Sequence, residues 1–153
     1  MPISVVADAR SEGTPFSHFW SRCVGAGRAN EGLRADWQQQ LKFAIAECGF
    51  KYVRFHGLYH DDMFVYRLEN GRAVYNFQYV DALFDALLEM GIRPFVEFGF
   101  CPKDLARETG TVFWWRGNGA PPTDVTKWGE LVERTVRHWI ARYGIEEVRN
   151  LVL

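Results

Sequence analysis

Tyr52-Val53-Arg54-Phe55-His56-Gly57 reads as a short buried strand with two basic side chains on one face. In an extended segment alternate side chains point to opposite sides. Val53 and Phe55 therefore face covering helices, and Tyr52, Arg54 and His56 face the other way. The segment follows a helical pattern, precedes a long connection, and is echoed by Ile92-Arg93-Pro94-Phe95-Val96-Glu97-Phe98-Gly99. Strands alternating with helices predict a parallel sheet covered by helices. Arg54 and His56 then point into a barrel interior, with His56 nearest the carboxyl end of its strand, where such folds carry chemistry.

Working outward, Trp37, Leu41, Ala44, Ile45 and Cys48 recur at helical spacing between Asp36 and the stop at Gly49. A second helix starts near Asn76, a good cap residue, with Val80, Leu83, Phe84, Leu87 and Leu88 on one face, and stops at Gly91. A third follows Pro121-Pro122-Thr123-Asp124, with a stripe from Trp128 to Tyr143, and stops at Gly144. His18 to Val24 is expected to be the first strand, ended by a turn at Gly25-Ala26-Gly27, and Ile145 to Leu153 the fourth. Connections from helix to strand are short, whereas Leu58 to Tyr75 and Phe100 to Thr123 are long. Long connections at the carboxyl ends of strands are the (β/α) barrel pattern. The predicted fold is α/β, about the first half of a (β/α)8 TIM barrel, with four parallel strands and three helices over residues 18–153. That is well short of the roughly 250 residues of a full barrel. Residues 1–17 hold one apolar run, Ile3 to Ala7, which reads as a lone strand and linker.

Composition narrows the function. The 153 residues are 48% hydrophobic and 16% aromatic, which excludes disorder. Six Trp and twelve Phe call for a large core or a ring-binding surface. A net charge of −1 gives no reason to expect a nucleic-acid or membrane partner. Cys23, Cys48 and Cys101 are an odd, scattered set that suits reduced thiols, and no metal-ligand spacing or cofactor motif is present. No signal peptide or apolar run of about 20 residues is seen, so a cytoplasmic location is expected.

Several residues are candidates for chemistry. His56 alone would read as a satisfied core histidine, but its place at a strand end beside Gly57 suits donation to a substrate hydroxyl. Arg54 and Glu97 occupy inward positions on neighbouring strands and are expected to form a structural ion pair. Asp61-Asp62 diverge as consecutive side chains, so a solvated loop or turn cap fits better than a catalytic pair. Phe113-Trp114-Trp115 is expected in a loop on the face where the strands end, where aromatic rings either pack on a sugar or pin the loop. Cys101 reads as a small buried residue.

Taken together, Val24-Gly25-Ala26-Gly27-Arg28-Ala29, Tyr52 to Gly57, Tyr75-Asn76-Phe77, Pro94 to Phe100, and Phe113-Trp114-Trp115 with Pro121-Pro122 resemble glycoside hydrolase family 39. The likeness is to its bacterial β-xylosidase branch and, more distantly, to the α-L-iduronidases, and runs from about Phe19 to Val148. The resemblance implies a (β/α)8 barrel and a retaining mechanism with two glutamates. It puts the acid/base glutamate in an Asn-Glu-Pro motif after Leu153 and the nucleophile on a later strand, so no catalytic residue is expected within 1–153. It implies that His56, Phe113, Trp114, Trp115 and Arg28 bind substrate, a xylo-oligosaccharide or aryl xyloside, with no cofactor. It also implies that residues 1–17 contribute a strand to an accessory β-sandwich. The expected function is thus the amino-terminal fragment of a β-xylosidase, inactive alone. The alternatives are a non-catalytic sugar-binding or assembly half-barrel, self-associating through open edges, or a non-functional truncated product.

Overall fold

The computed structural model describes residues 2–153; Met1, the first residue of the expected amino-terminal segment, lies outside them. In chain order the elements are β1 (Cys23–Arg28), α1 (Ala35–Cys48), β2 (Tyr52–His56), β3 (Tyr66–Glu69), β4 (Arg72–Tyr75), α2 (Gln78–Glu89), β5 (Arg93–Val96), β6 (Thr111–Val112), β7 (Gly117–Asn118), α3 (Val125–Tyr143) and α4 (Ile145–Arg149). The central sheet is parallel in the order β1-β2-β5. Val53 and Phe55 turn to the helix layer and are 0% and 2% exposed, while Arg54 on the other face keeps more than half its side chain open. That contrast is the alternation read from the sequence.

The helices form where apolar spacing and caps agree. Asp124 caps α3 through Oδ1, which accepts from the backbone N–H groups of Thr126 and Lys127. Asn76 Oδ1 accepts from Gln78 N at the start of α2. α2 buries Val80, Leu83, Phe84 and Leu87, and α3 buries Leu131, Thr135 and Trp139. α1 buries only Leu41; Trp37, Ile45 and Cys48 are half-buried. Within the core the Tyr59 hydroxyl lies 2.8 Å from Thr135 Oγ1, whose own hydroxyl donates to the Leu131 carbonyl. No helix among the described residues is long and apolar enough to cross a membrane.

Three expectations need correction. The first strand does not stop at Val24: a 3-10 turn occupies Phe19–Arg22, and β1 runs through the glycines to Arg28. Gly25 pairs with Arg54 and Arg28 with His56, with a bulge between them, so the glycines lie in the strand rather than in a turn. The segment expected as a fourth strand is mostly α4. Ile145, Val148 and Leu151 are three apart, a helical spacing, and Glu146 and Glu147 sit in the helix's favourable first turn. Only Val152 joins the sheet, by a parallel bridge to Phe95. The long connections are not plain loops: β3 and β4 form a hairpin, as do β6 and β7. Separately, Ile3 to Ala7 joins no ladder among the described residues, and Ile3, Val5 and Val6 are almost wholly exposed, so the expected pairing with residues outside this chain is left open. Nothing pairs with their backbone, and a lone strand has no ladder to stabilise it.

α2 and α3 are also tied by charge. Asp85 accepts two hydrogen bonds from Arg142, at 2.5 and 3.2 Å, and one from Tyr143 at 2.9 Å. The Arg142 bonds hold the Asp85 carboxyl below its ordinary pKa against a smaller opposing effect of burial, with Tyr143 adding to them. Because the folded value is depressed, this clasp contributes fully above the ordinary aspartate pKa of about 3.9 and is lost as pH falls through the folded value. Wild type is therefore expected to melt above Asp85→Asn at pH 7, and the gap to close as pH is lowered through the carboxylate range. A gap constant down to the acid limit would show that the charge contributes nothing.

Candidate functional site

The site lies at the carboxyl ends of the parallel strands. β2 delivers His56, β1 delivers Arg28 beside it, and Glu97 follows directly on β5. The β6–β7 hairpin carries Phe113-Trp114-Trp115-Arg116 at its tip. Phe113 and Arg116 take left-handed backbone conformations (φ 62° and 56°), and Arg116 N donates to Phe113 O to close the turn. Trp115 folds back over Gly117, where a Cβ would come 2.4 Å from the indole; only glycine leaves room.

Three rings gather here. His56, Phe113 and Trp115 have centroids 5.4–5.8 Å apart and planes within 18° of parallel. Phe100 meets all three edge-on. Such offset and edge-to-face arrangements are favourable for aromatic rings. Beside them opens a cleft of about 310 Å³, with His56, Glu97, Phe100, Asn118 and Trp128 in its wall. The predicted gathering of imidazole and indole on one rim is therefore present. Trp114 is 82% exposed and Phe113 61%, so the rings present wet faces rather than a sealed core.

The remaining candidates divide. Arg54 Nη2 comes within 2.5 Å of Glu97 Oε1, the expected ion pair. The contact lacks hydrogen-bond alignment at Oε1, so it is ionic attraction without a directed bond. Asp62 is not a merely solvated loop acid: it is ion-paired with Arg28, and Oδ2 is 4.0 Å from His60 Nε2. The reason is spatial, since the bulged end of β1 brings Arg28 to a residue 34 positions away. Asp61 Oδ1 accepts from the Lys103 backbone N–H, 42 positions away, so it joins two connections rather than capping its own turn. Cys101 is buried, and its thiol is pushed up to about 11, chiefly by burial. Asn118 holds its own hairpin, bonding Glu108 O and Ala120 N. No group of three His, Cys, Asp or Glu among the described residues could hold a metal ion.

Sequence reasoning missed Phe100, Trp128 and His60. Trp128 falls on the apolar stripe of α3 and so reads as core, yet it lines the cleft and meets Tyr59 edge-on. His60 packs edge-on against Trp115 at 4.8 Å, and its position after Gly57 gave no periodic signal.

The parallel strands, helix cover and aromatic cleft at the carboxyl strand ends define a part of a (β/α) barrel. Comparison with known proteins supplies the family. The model of glycosyl hydrolases family 39 matches residues 3–152, and the chain belongs to that family. It is 47% identical over 136 residues to a β-xylosidase of Caldicellulosiruptor saccharolyticus and 46% over 139 residues to one of Geobacillus stearothermophilus; each match covers 88% of this chain and 28% of the relative. The crystal structure of the family 39 enzyme from Xanthomonas axonopodis pv. citri superposes with a TM-score of 0.85 at 42% identity, over 91% of this chain and 27% of that one. The chain thus spans less than a third of the length of these relatives.

Proposed function

We propose that residues 18–153 build the first part of the catalytic barrel of a retaining glycoside hydrolase acting on β-xylosides, and supply one wall of its sugar pocket. The observation that carries this reading is the 47% identity to a β-xylosidase over most of the chain. His56, Phe113, Trp114 and Trp115 form the wall, with Arg28 at its edge. Ring faces bury the apolar C–H face of a pyranose, and the imidazole exchanges hydrogen bonds with a sugar hydroxyl. Arg54 and Glu97 are structural.

A retaining reaction needs one carboxylic acid to protonate the leaving oxygen and a second carboxylate about 5 Å away to attack the anomeric carbon. The carboxylates facing this site, Glu97 and Asp62, are each paired with an arginine. Each of these carboxylates is thereby engaged in a contact between elements of the fold, Glu97 with Arg54 of β2 and Asp62 with Arg28 of β1. Both catalytic glutamates are therefore assigned outside residues 1–153, and residues 1–17 to an accessory β-sandwich that pairs their exposed apolar run. The purified 153-residue chain is expected to bind xylobiose, followed by Trp fluorescence, and to release no nitrophenol from p-nitrophenyl β-xyloside above buffer. Turnover by the pure chain would overturn the assignment of catalysis; a flat titration would overturn the sugar wall.

A second reading, a non-catalytic assembly module, is favoured by one observation. Phe19 and Trp20 are 74% and 49% exposed, and with Tyr52 and Phe95 they line an apolar groove beside the sheet's end. Concentration-dependent mass in sedimentation would support that reading.

A further inference from the structure

Arg28 leaves the carboxyl end of β1 as the register partner of His56, but its side chain is enclosed, only 13% exposed. It is ion-paired with Asp62 in the β2–β3 connection and lies 3.7 Å from Glu31. Its guanidinium carbon is 5.4 and 5.2 Å from the ring centroids of Trp114 and Trp115. One cation thus joins β1, the β2–β3 connection and the tip of the β6–β7 hairpin. Its charge meets the carboxylates of Asp62 and Glu31, its face meets two indoles, and its buried Nε has no hydrogen-bond partner among the described residues.

The hairpin needs such an anchor. β6 and β7 are two residues each, Thr111 and Val112 are exposed, and two of the four tip residues sit at positive φ. So short a ladder does little to fix the direction of a tip side chain. The Trp115 ring nevertheless lies within 14° of parallel to His56. An enclosed arginine over an indole, neutralised by aspartate, adds a charged anchor to the edge-on packing of Trp115 against Phe100 and His60, and a planar guanidinium suits it better than an ammonium.

We propose that Arg28 is a positioning residue, clasping the aromatic hairpin to the β2–β3 connection through Asp62 and so holding Trp115 parallel to His56. Its effect on substrate passes through Trp115, and this part rests on the reading of that wall as sugar-binding.

The test uses the imidazole C–H signals of the 153-residue chain, which has four histidines, with His56 assigned from His56→Ala. Stacked rings displace the His56 signal. In Arg28→Met it is expected to move toward the position of a free histidine, while that of His138, on α3, stays; xylobiose affinity is expected to fall about tenfold. Arg28→Lys keeps a charge over the indoles and should recover part of both effects. Asp62→Asn removes the counter-charge while keeping shape, should move the His56 signal the same way, and replaces Arg28→Met if that variant does not fold. An unmoved His56 signal with unchanged affinity would overturn the clasp and leave the sugar wall intact. A moved signal in a protein that never binds xylobiose would support the clasp and sink the sugar reading.

Discussion

Trp139→Ala is expected to remove about 3–5 kcal/mol of folding stability, the range for truncating a large buried aromatic. A domain of this size has about 5–15 kcal/mol in all, so the variant should be close to unfolding or unfolded at 37 °C. Trp139 is fully enclosed in α3, lies 4.8 Å from the Phe84 ring of α2 and 6.0 Å from Phe98 beyond β5, and its plane is 21° from that of each. It is where two helices and the end of a strand meet, so no single element can move in to fill the space. Urea denaturation checks this: the midpoint should fall with the slope unchanged. Trp139→Phe is the informative control. The indole Nε1 is buried with no hydrogen-bond partner among the described residues, so phenylalanine loses volume but also removes an unmet donor. Its cost should be well under half that of alanine; equal costs would show that the indole N–H, not the packing, matters there.

Much of this core was legible in advance, for a reason that these residues illustrate. Val80, Leu83, Phe84 and Leu87 obey the helical period because one face must be dry, and Val53 and Phe55 obey the strand period for the same reason. Arg54 and Glu97 could be paired on paper because both lie on inward positions of adjacent strands. The misreadings have physical causes as well. Ile145, Val148 and Leu151 lie in a segment with too few apolar residues to separate a short helix from a strand, and the bond that decides it is long-range: Arg93 on β5 grips Glu147 with two hydrogen bonds. The β3–β4 hairpin had a local signal, Asn70-Gly71, with both residues at positive φ (51° and 77°), inside what reads as one long connection. Arg28 and Asp62 had none. Reading the glycines as a turn put Arg28 outside the sheet, and an ion pair 34 residues apart leaves no periodic trace. The strand-borne half of the site could be read; the loop-borne half depended on contacts that only the folded chain brings together.

The largest functional effect is expected at His56. In the 153-residue chain, His56→Ala should weaken xylobiose binding by about 30-fold or more, corresponding to a loss of about 2 kcal/mol at an interface hot spot. Two contributions add. The imidazole is the only strand-borne hydrogen-bonding group that the three-ring cluster presents to the cleft, so its loss leaves a sugar hydroxyl desolvated without a partner. It is also the ring on which Phe113 and Trp115 stack, so alanine lets both tilt into the space it vacates. His56→Phe separates the two. It keeps a flat ring against both Phe113 and Trp115 but has no nitrogen, so the near-ultraviolet dichroism of the aromatic cluster should stay close to wild type while affinity falls nearly as far as in alanine. Isothermal titration with xylobiose, read beside that spectrum, decides the matter. Wild-type affinity in His56→Phe would mean that the ring serves only as a shelf, and that recognition of the hydroxyl must be sought at Glu97 or Trp128, which line the same cleft.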